Sequence, residues 1–132
     1  MTSHYRQINP SVLLDAAGQD VQVFLELSAT FLDIAPPMFE RLQQAITAGH
    51  TSRITHESHS LKGTVALVGA EHLAGMLGRV EALSRTSTTS CEEIAGLWSA
   101  LADVYAETID EVRGSIQHFG QSPASADDRR NG

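Results

Sequence analysis

From Val21 to Phe119 apolar residues return every three or four positions, and glycines punctuate the pattern at 18, 49, 69 and 120. That interval is one face of an α-helix, advancing about 100° per residue. A glycine just past such a run is a helix stop, because it alone enters the left-handed conformation without steric cost. No stretch alternates apolar and polar residues as a half-buried strand would. The chain is thereby restricted to helix packed on helix.

Five helical segments follow. The first covers roughly residues 11–17. The second starts near Asp20, a side chain suited to an N-cap, and carries Phe24, Leu25, Phe31, Leu32, Phe39, Leu42 and Ile46 before Gly49. Pro36-Pro37 inside it predicts a kink, or a break with a fresh start. The third covers about 51–68. The fourth begins near Glu71 with a stripe of Leu73, Met76, Leu77, Val80 and Leu83. Gly75 and Gly78 lower its propensity by up to about 1 kcal/mol each, which is tolerable where a neighbour approaches closely. The fifth opens on Ser90-Cys91-Glu92-Glu93, which has capping-box form. Its stripe includes Ile94, Leu97, Trp98, Leu101, Tyr105, Ile109, Val112 and Ile116. Trp98 and Tyr105 belong to that stripe and are expected to pack.

Residues 1–10 read as an N-terminal extension and 121–132, small and polar, as a disordered tail. Short connections favour antiparallel neighbours. The expected fold is all-α: an antiparallel up-down four-helix bundle over residues 11–120, with the short first helix across one end. At 132 residues one domain with a real core is possible.

The formal charge of −7 and pI near 5.2 argue against a partner held through nucleic-acid phosphates. Cys91, the single cysteine, excludes an internal disulfide and suits a reducing compartment. Neither a leader-like apolar stretch nor a run of about 18 apolar residues is present, so no membrane partner and a cytoplasmic location are expected. Neither GxxxxGK[ST] nor GxGxxG occurs, so nothing cradles a nucleotide phosphate.

Of nine Lys and Arg residues only one is lysine, Lys62, in His59-Ser60-Leu61-Lys62-Gly63. With Leu61 set at zero on a helical wheel, Ile54, Val65 and Val68 fall within about 40° and His59 about 160° away. His59 should therefore face solvent, among Ser52, Thr55, His56, Lys62, Gly63 and Ala66. An exposed imidazole with a reference pKa of about 6.5 is a neutral nucleophile near neutral pH. A cation one turn away offsets the charge of a phosphoryl group, and Gly63 leaves room for a partner. Metal binding is the rival chemistry. His56-Glu57-Ser58-His59 is one residue short of H-E-x-x-H, and two histidines need further ligands, with His72 nearest in sequence. A di-iron bundle needs two Glu-x-x-His motifs, and there are none. No metal is expected. A helical adaptor that binds its partner without phosphorylation is the other alternative.

His59-Ser60-Leu61-Lys62-Gly63-Thr64, then Val68-Gly69-Ala70, then Leu73, Val80 and Glu81 resemble the histidine-containing phosphotransfer (HPt) domain family. The resemblance covers about residues 11–120 and is concentrated in 55–83. It implies that His59 accepts a phosphoryl group at the ring nitrogen farther from the backbone. Lys62 would stabilise its charge and Gly63 would give clearance. Glu81 falls where the family often has Gln or Glu. As a carboxylate it would repel a phosphate unless it bonds the imidazole. His56, a second histidine on the face, departs from the pattern and is a possible support. The implied role is a phosphocarrier without kinase activity of its own, shuttling between receiver-domain aspartates. Partners would be response-regulator receiver domains, a hybrid sensor histidine kinase, or both. The contact face would be His59 and its small neighbours, ringed by apolar residues of the first two helices. No cofactor is expected on this chain; Mg²⁺ would come with the receiver. The family default is a monomer, and Met1 with the polar tail fits a stand-alone chain or a terminal domain.

Overall fold

The computed structural model describes residues 5–86 and 90–120, the side chains of 90 and 91 excepted. Among these residues there are five helices and no strand: α1 Pro10–Ala16, α2 Val21–Ala48, α3 Thr51–Ala66, α4 Glu71–Ser84 and α5 Ser90–Gly120. The expected tail at 121–132 and the capping side chain of Ser90 lie outside the described residues.

The helix boundaries have local causes. Asn9 caps α1 by accepting the Ser11 N–H at 3.1 Å, and Pro10 sits where its missing N–H costs nothing. Asp20 caps α2 through the Val23 N–H at 3.2 Å. Gly49 leaves α2 at φ +67°. The third segment was expected to reach Val68, but α3 stops at Ala66 and unwinds over Leu67 and Val68 to Gly69, at φ +71°.

Of the kink or break expected at Pro36-Pro37, the break does not occur. α2 runs unbroken through both prolines. Their missing N–H groups free the carbonyls of Leu32 and Asp33. Both prolines and Asp33 are exposed, so solvent reaches that side. On the opposite side Ala35, Leu42 and Ala45 are fully buried and hold the helix to the core.

α2, α3, α4 and α5 pack in a ring, each against the next, with α5 closing back on α2 and α1 lying on α2. The inward stripes meet in one core that includes Leu42, Leu61, Leu73, Leu77, Val80 and Leu101, all with no exposed surface. Burying each such side chain stabilises the fold by about 1.5–3 kcal/mol. Truncating one, as in Leu77→Ala, costs about 2–5 kcal/mol. Trp98 and Tyr105 pack as expected: the Phe39 ring stacks on both, with centroids 4.9 and 3.9 Å away.

Residues 5–9 strap one end of the bundle. The Glu111 carboxylate on α5 accepts the backbone N–H groups of Arg6, Gln7 and Ile8 at 3.0, 2.8 and 3.0 Å. The Asn9 N–H donates to the Val68 carbonyl at 3.0 Å. Gly69 lies so close beneath this strap that a Cβ there would come within 2.7 Å of the Asn9 Cβ. The chain therefore needs glycine at 69 for conformation and for space. Close approach does not explain Gly75, which faces open space, while Gly78 meets only the Lys62 stem.

Candidate functional site

His59 stands in the middle of α3, on the face opposite Leu61, as the wheel requires. Its side chain is 66% exposed. Gly63, one turn on, is exposed and has no atom within 4 Å of where a Cβ would sit. Ser52 and Ala66 are also exposed on this face, so the ground around the imidazole is low.

Beneath it lies Glu81 of α4, whose side chain is only 6% exposed. Its Oε2 is 3.0 Å from His59 Nδ1. The Lys62 ammonium is 2.9 Å from Oε1 as an ion pair, off the angles of a hydrogen bond. Arg85, one turn along α4, donates from Nη2 to Oε2 at 2.8 Å. A carboxylate this far from water persists only when paired. Here it is held below the ordinary glutamate value chiefly by Lys62 and then by His59, with burial opposing them.

The sequence-level question about Glu81 is thus answered by geometry: the carboxylate bonds the imidazole. An ionised carboxylate can only accept, so His59 Nδ1 carries the proton. The other ring nitrogen, Nε2, then holds the free lone pair. It has no partner among the described residues.

Other expected residues fall into place around this hub. Lys62 is half-buried, its stem against α4 beside Gly78, where a Cβ would lie 3.6 Å from the Lys62 Cδ. His56 is exposed one turn before His59 and makes no hydrogen bond or ion pair among the described residues. His72 is exposed at the start of α4 and does not join the two histidines of α3. Among the described residues no three His, Cys, Asp or Glu side chains are grouped to hold a metal.

Sequence reasoning missed two supports. Arg85 is a second cation on Glu81 beside Lys62, and its i+4 spacing from Glu81 was the available signal. Thr55 and Ser84 share a hydrogen bond at 2.6 Å that sets α3 against α4. No local pattern marks that pair, which is 29 residues apart in sequence.

An apolar groove opens between α1, α2 and the turn that follows α3. Leu13, Leu27, Phe31, Ile34 and Leu67 line it. Leu67 is 53% exposed and Ile34 41%. Leu67 lies eight residues after His59, just past the end of α3.

The Hpt domain family profile matches residues 26–120 of the chain. No curated protein matches it. Among solved structures, histidine-containing phosphotransfer protein B (HptB) from Pseudomonas aeruginosa PAO1 is similar, at 21% identity over 85% of this chain and 96% of that one, with a TM-score of 0.75. None of the described helices is long and apolar enough to cross a membrane.

Proposed function

The chain belongs to the Hpt domain family, and from that premise we propose that it carries a phosphoryl group on His59 in a two-component phosphorelay. The observation that carries this reading is the pairing of an exposed imidazole with a buried carboxylate at Nδ1. That pairing leaves Nε2 as the nucleophile.

The chemistry balances simply. The Nε2 lone pair forms a bond to phosphorus while the bond from phosphorus to a receiver aspartate oxygen breaks, and the carboxylate leaves with the electron pair. The Nδ1 proton stays where it is. The ring becomes cationic as the bond forms, and the Glu81 carboxylate beneath it stabilises that charge. Lys62, at the edge of the patch, offsets charge on the phosphoryl oxygens. The reverse transfer uses the same contacts. Mg²⁺ belongs to the receiver in this reading, as does the aspartate.

Gly63 and the small residues around it give the receiver clearance, and the apolar groove beside Leu67 is the surface it covers. His56 is a neighbour on that surface, without a carboxylate to orient its ring. The chain acts as a monomeric carrier in the cytoplasm, between receiver domains or from a hybrid sensor kinase, with no kinase activity of its own.

The experiment is transfer from phosphorylated receiver domains of the same organism, with Mg²⁺, followed by a test for acid-labile, base-stable phosphate. Label is expected on the wild type and on His56→Gln, and none on a folded His59→Gln. Label retained by His59→Gln would move the site. A folded wild type that binds receivers but takes no label would be an adaptor.

A further inference from the structure

The Glu81 carboxylate serves three partners with two oxygens. His59 Nδ1 and Arg85 Nη2 share Oε2, at 3.0 and 2.8 Å. A carboxylate oxygen has two lone pairs, so both donors fit there together. Oε1 is buried and accepts no hydrogen bond; its contact is the Lys62 ammonium at 2.9 Å. The two cations differ in what else they must do. Lys62 also offsets the charge of the phosphoryl group, and each move toward that group is a move away from Oε1. Arg85 makes no side-chain hydrogen bond or ion pair except to Glu81 among the described residues.

Arg85 is built to stay where it is. It is the C-cap of α4, one turn beyond Glu81. The last turn of that helix is fixed to α3: Ser84 Oγ donates to the Glu81 carbonyl at 2.7 Å and lies 2.6 Å from Thr55 Oγ1. An exposed i, i+4 pair contributes little to a fold, because water screens both ends. This pair is one-sided: the guanidinium side chain is 62% exposed and the carboxylate side chain 6%. Taking the partner from a buried carboxylate is far more disruptive than breaking a surface pair. The planar guanidinium also fixes the direction of the oxygen it bonds.

We propose that Arg85 is a positioning residue for phosphoryl transfer: it holds the Glu81 carboxylate beneath His59 while the Lys62 ammonium turns from Oε1 to the phosphoryl oxygens. This rests on the phosphocarrier reading above. Until the bond to phosphorus forms, the ring is neutral, so without Arg85 a departing Lys62 would leave Glu81 with no counter-charge. With Oε2 held, Nδ1 keeps its proton and Nε2 its lone pair throughout the approach. Arg85 acts through Glu81 and not on the reacting atoms.

The test is transfer from a phosphorylated receiver domain that labels the wild type, measured against receiver concentration for Arg85→Ala, Arg85→Lys and Arg113→Ala. Arg113 pairs with Asp110 on α5 at 3.7 Å, both exposed, and is the control. Arg85→Ala should slow transfer at saturating receiver by roughly fivefold, with the half-saturating concentration unchanged. Arg85→Lys should recover most of that rate, and Arg113→Ala should match the wild type. In Glu81→Gln there is no charge to hold, so adding Arg85→Ala should slow transfer no further. The ¹⁵N shifts of the His59 ring give a reading without any receiver. Lys62→Ala imitates the departed ammonium and should keep the Nδ1–H tautomer; Lys62→Ala with Arg85→Ala should lose it. If that double variant does not fold, the Glu81→Gln comparison decides, since a neutral amide leaves no buried charge. Arg85→Ala at the wild-type rate, a loss confined to half-saturation, an equal further loss in Glu81→Gln, or an unchanged tautomer in the folded double variant overturns the proposal. A folded wild type that takes no label removes the phosphocarrier reading and the transfer role with it. Label on the wild type with Arg85→Ala unaffected removes the role of Arg85 alone.

Discussion

Glu81 Oε2 lies 3.0 Å from His59 Nδ1, joining a buried carboxylate on α4 to an exposed imidazole on α3. The contact sets the tautomer. A hydrogen bond to a charged group is worth roughly 1.5–3 kcal/mol, enough to shift a tautomer ratio by about tenfold or more.

Glu81→Ala should therefore move the His59 ring from Nδ1–H toward a mixture rich in Nε2–H, read from the ring ¹⁵N shifts. Phosphoryl acceptance should fall by about tenfold or more with it. Glu81→Gln keeps an acceptor for Nδ1–H but loses the charge under the ring, so it should keep the tautomer and still transfer more slowly. Unchanged ring shifts in Glu81→Ala would show that the contact does not orient the imidazole.

Lys62→Ala should slow transfer by about tenfold, equivalent to about 1.4 kcal/mol. A larger effect is not expected, since the ammonium already has Glu81 Oε1 at 2.9 Å and must be shared with the phosphoryl group. The same variant should lower the unfolding temperature, because it leaves a buried carboxylate oxygen without its counter-charge. Lys62→Arg should keep more of the transfer rate than Lys62→Ala. Equal rates in the two variants would mean that the charge at 62 is not used.

Gly63→Ala and Gly69→Ala should move stability in opposite directions. Gly63 is helical with open space around it, so alanine should stabilise the helix by roughly 0.5–1 kcal/mol. That is a rise of a few degrees in Tm, together with slower transfer if the methyl group obstructs the partner. At Gly69 a positive φ and the Asn9 backbone at 2.8 Å oppose any side chain; strain of this kind costs about 1–3 kcal/mol. A Gly63→Ala variant that transfers as fast as wild type would remove clearance as the reason for that glycine.

Acid should expose the Glu81 pairing. Lys62, with His59, holds this carboxyl below its usual 4.5 in the folded chain. On acidification the unfolded chain takes up this proton first. The stability due to the pairing is thus complete above about pH 5 and is lost as pH falls through the folded value. Between pH 6 and pH 3 the unfolding midpoint of the wild type should drop more steeply than that of Glu81→Gln. Parallel curves would show that Glu81 is not held ionised by its neighbours.

Much of the fold was legible in the chain because its signals are local. The 3.6-residue period places Leu73, Leu77 and Val80 on one buried face. Gly49 and Gly69 end their runs in the left-handed conformation. At Pro36-Pro37 the sequence left a kink or a break open, and the continuous α2 excludes the break. Proline's local penalty is real, but burial of Ala35 and Leu42 on the far side of the same turns outweighs it.

The sequence by itself determined the all-helical class, the stops between helices, and the placing of His59 and Gly63 together on one exposed face with Lys62 at its edge. Each follows from dihedral preference and spacing within a few residues. Only the tertiary structure decided that Glu81 bonds the imidazole and that Arg85 joins it. Those depend on distances between side chains of different helices, such as the 3.0 Å from residue 59 to residue 81. Such distances are set by how the helices pack, which no short-range pattern encodes.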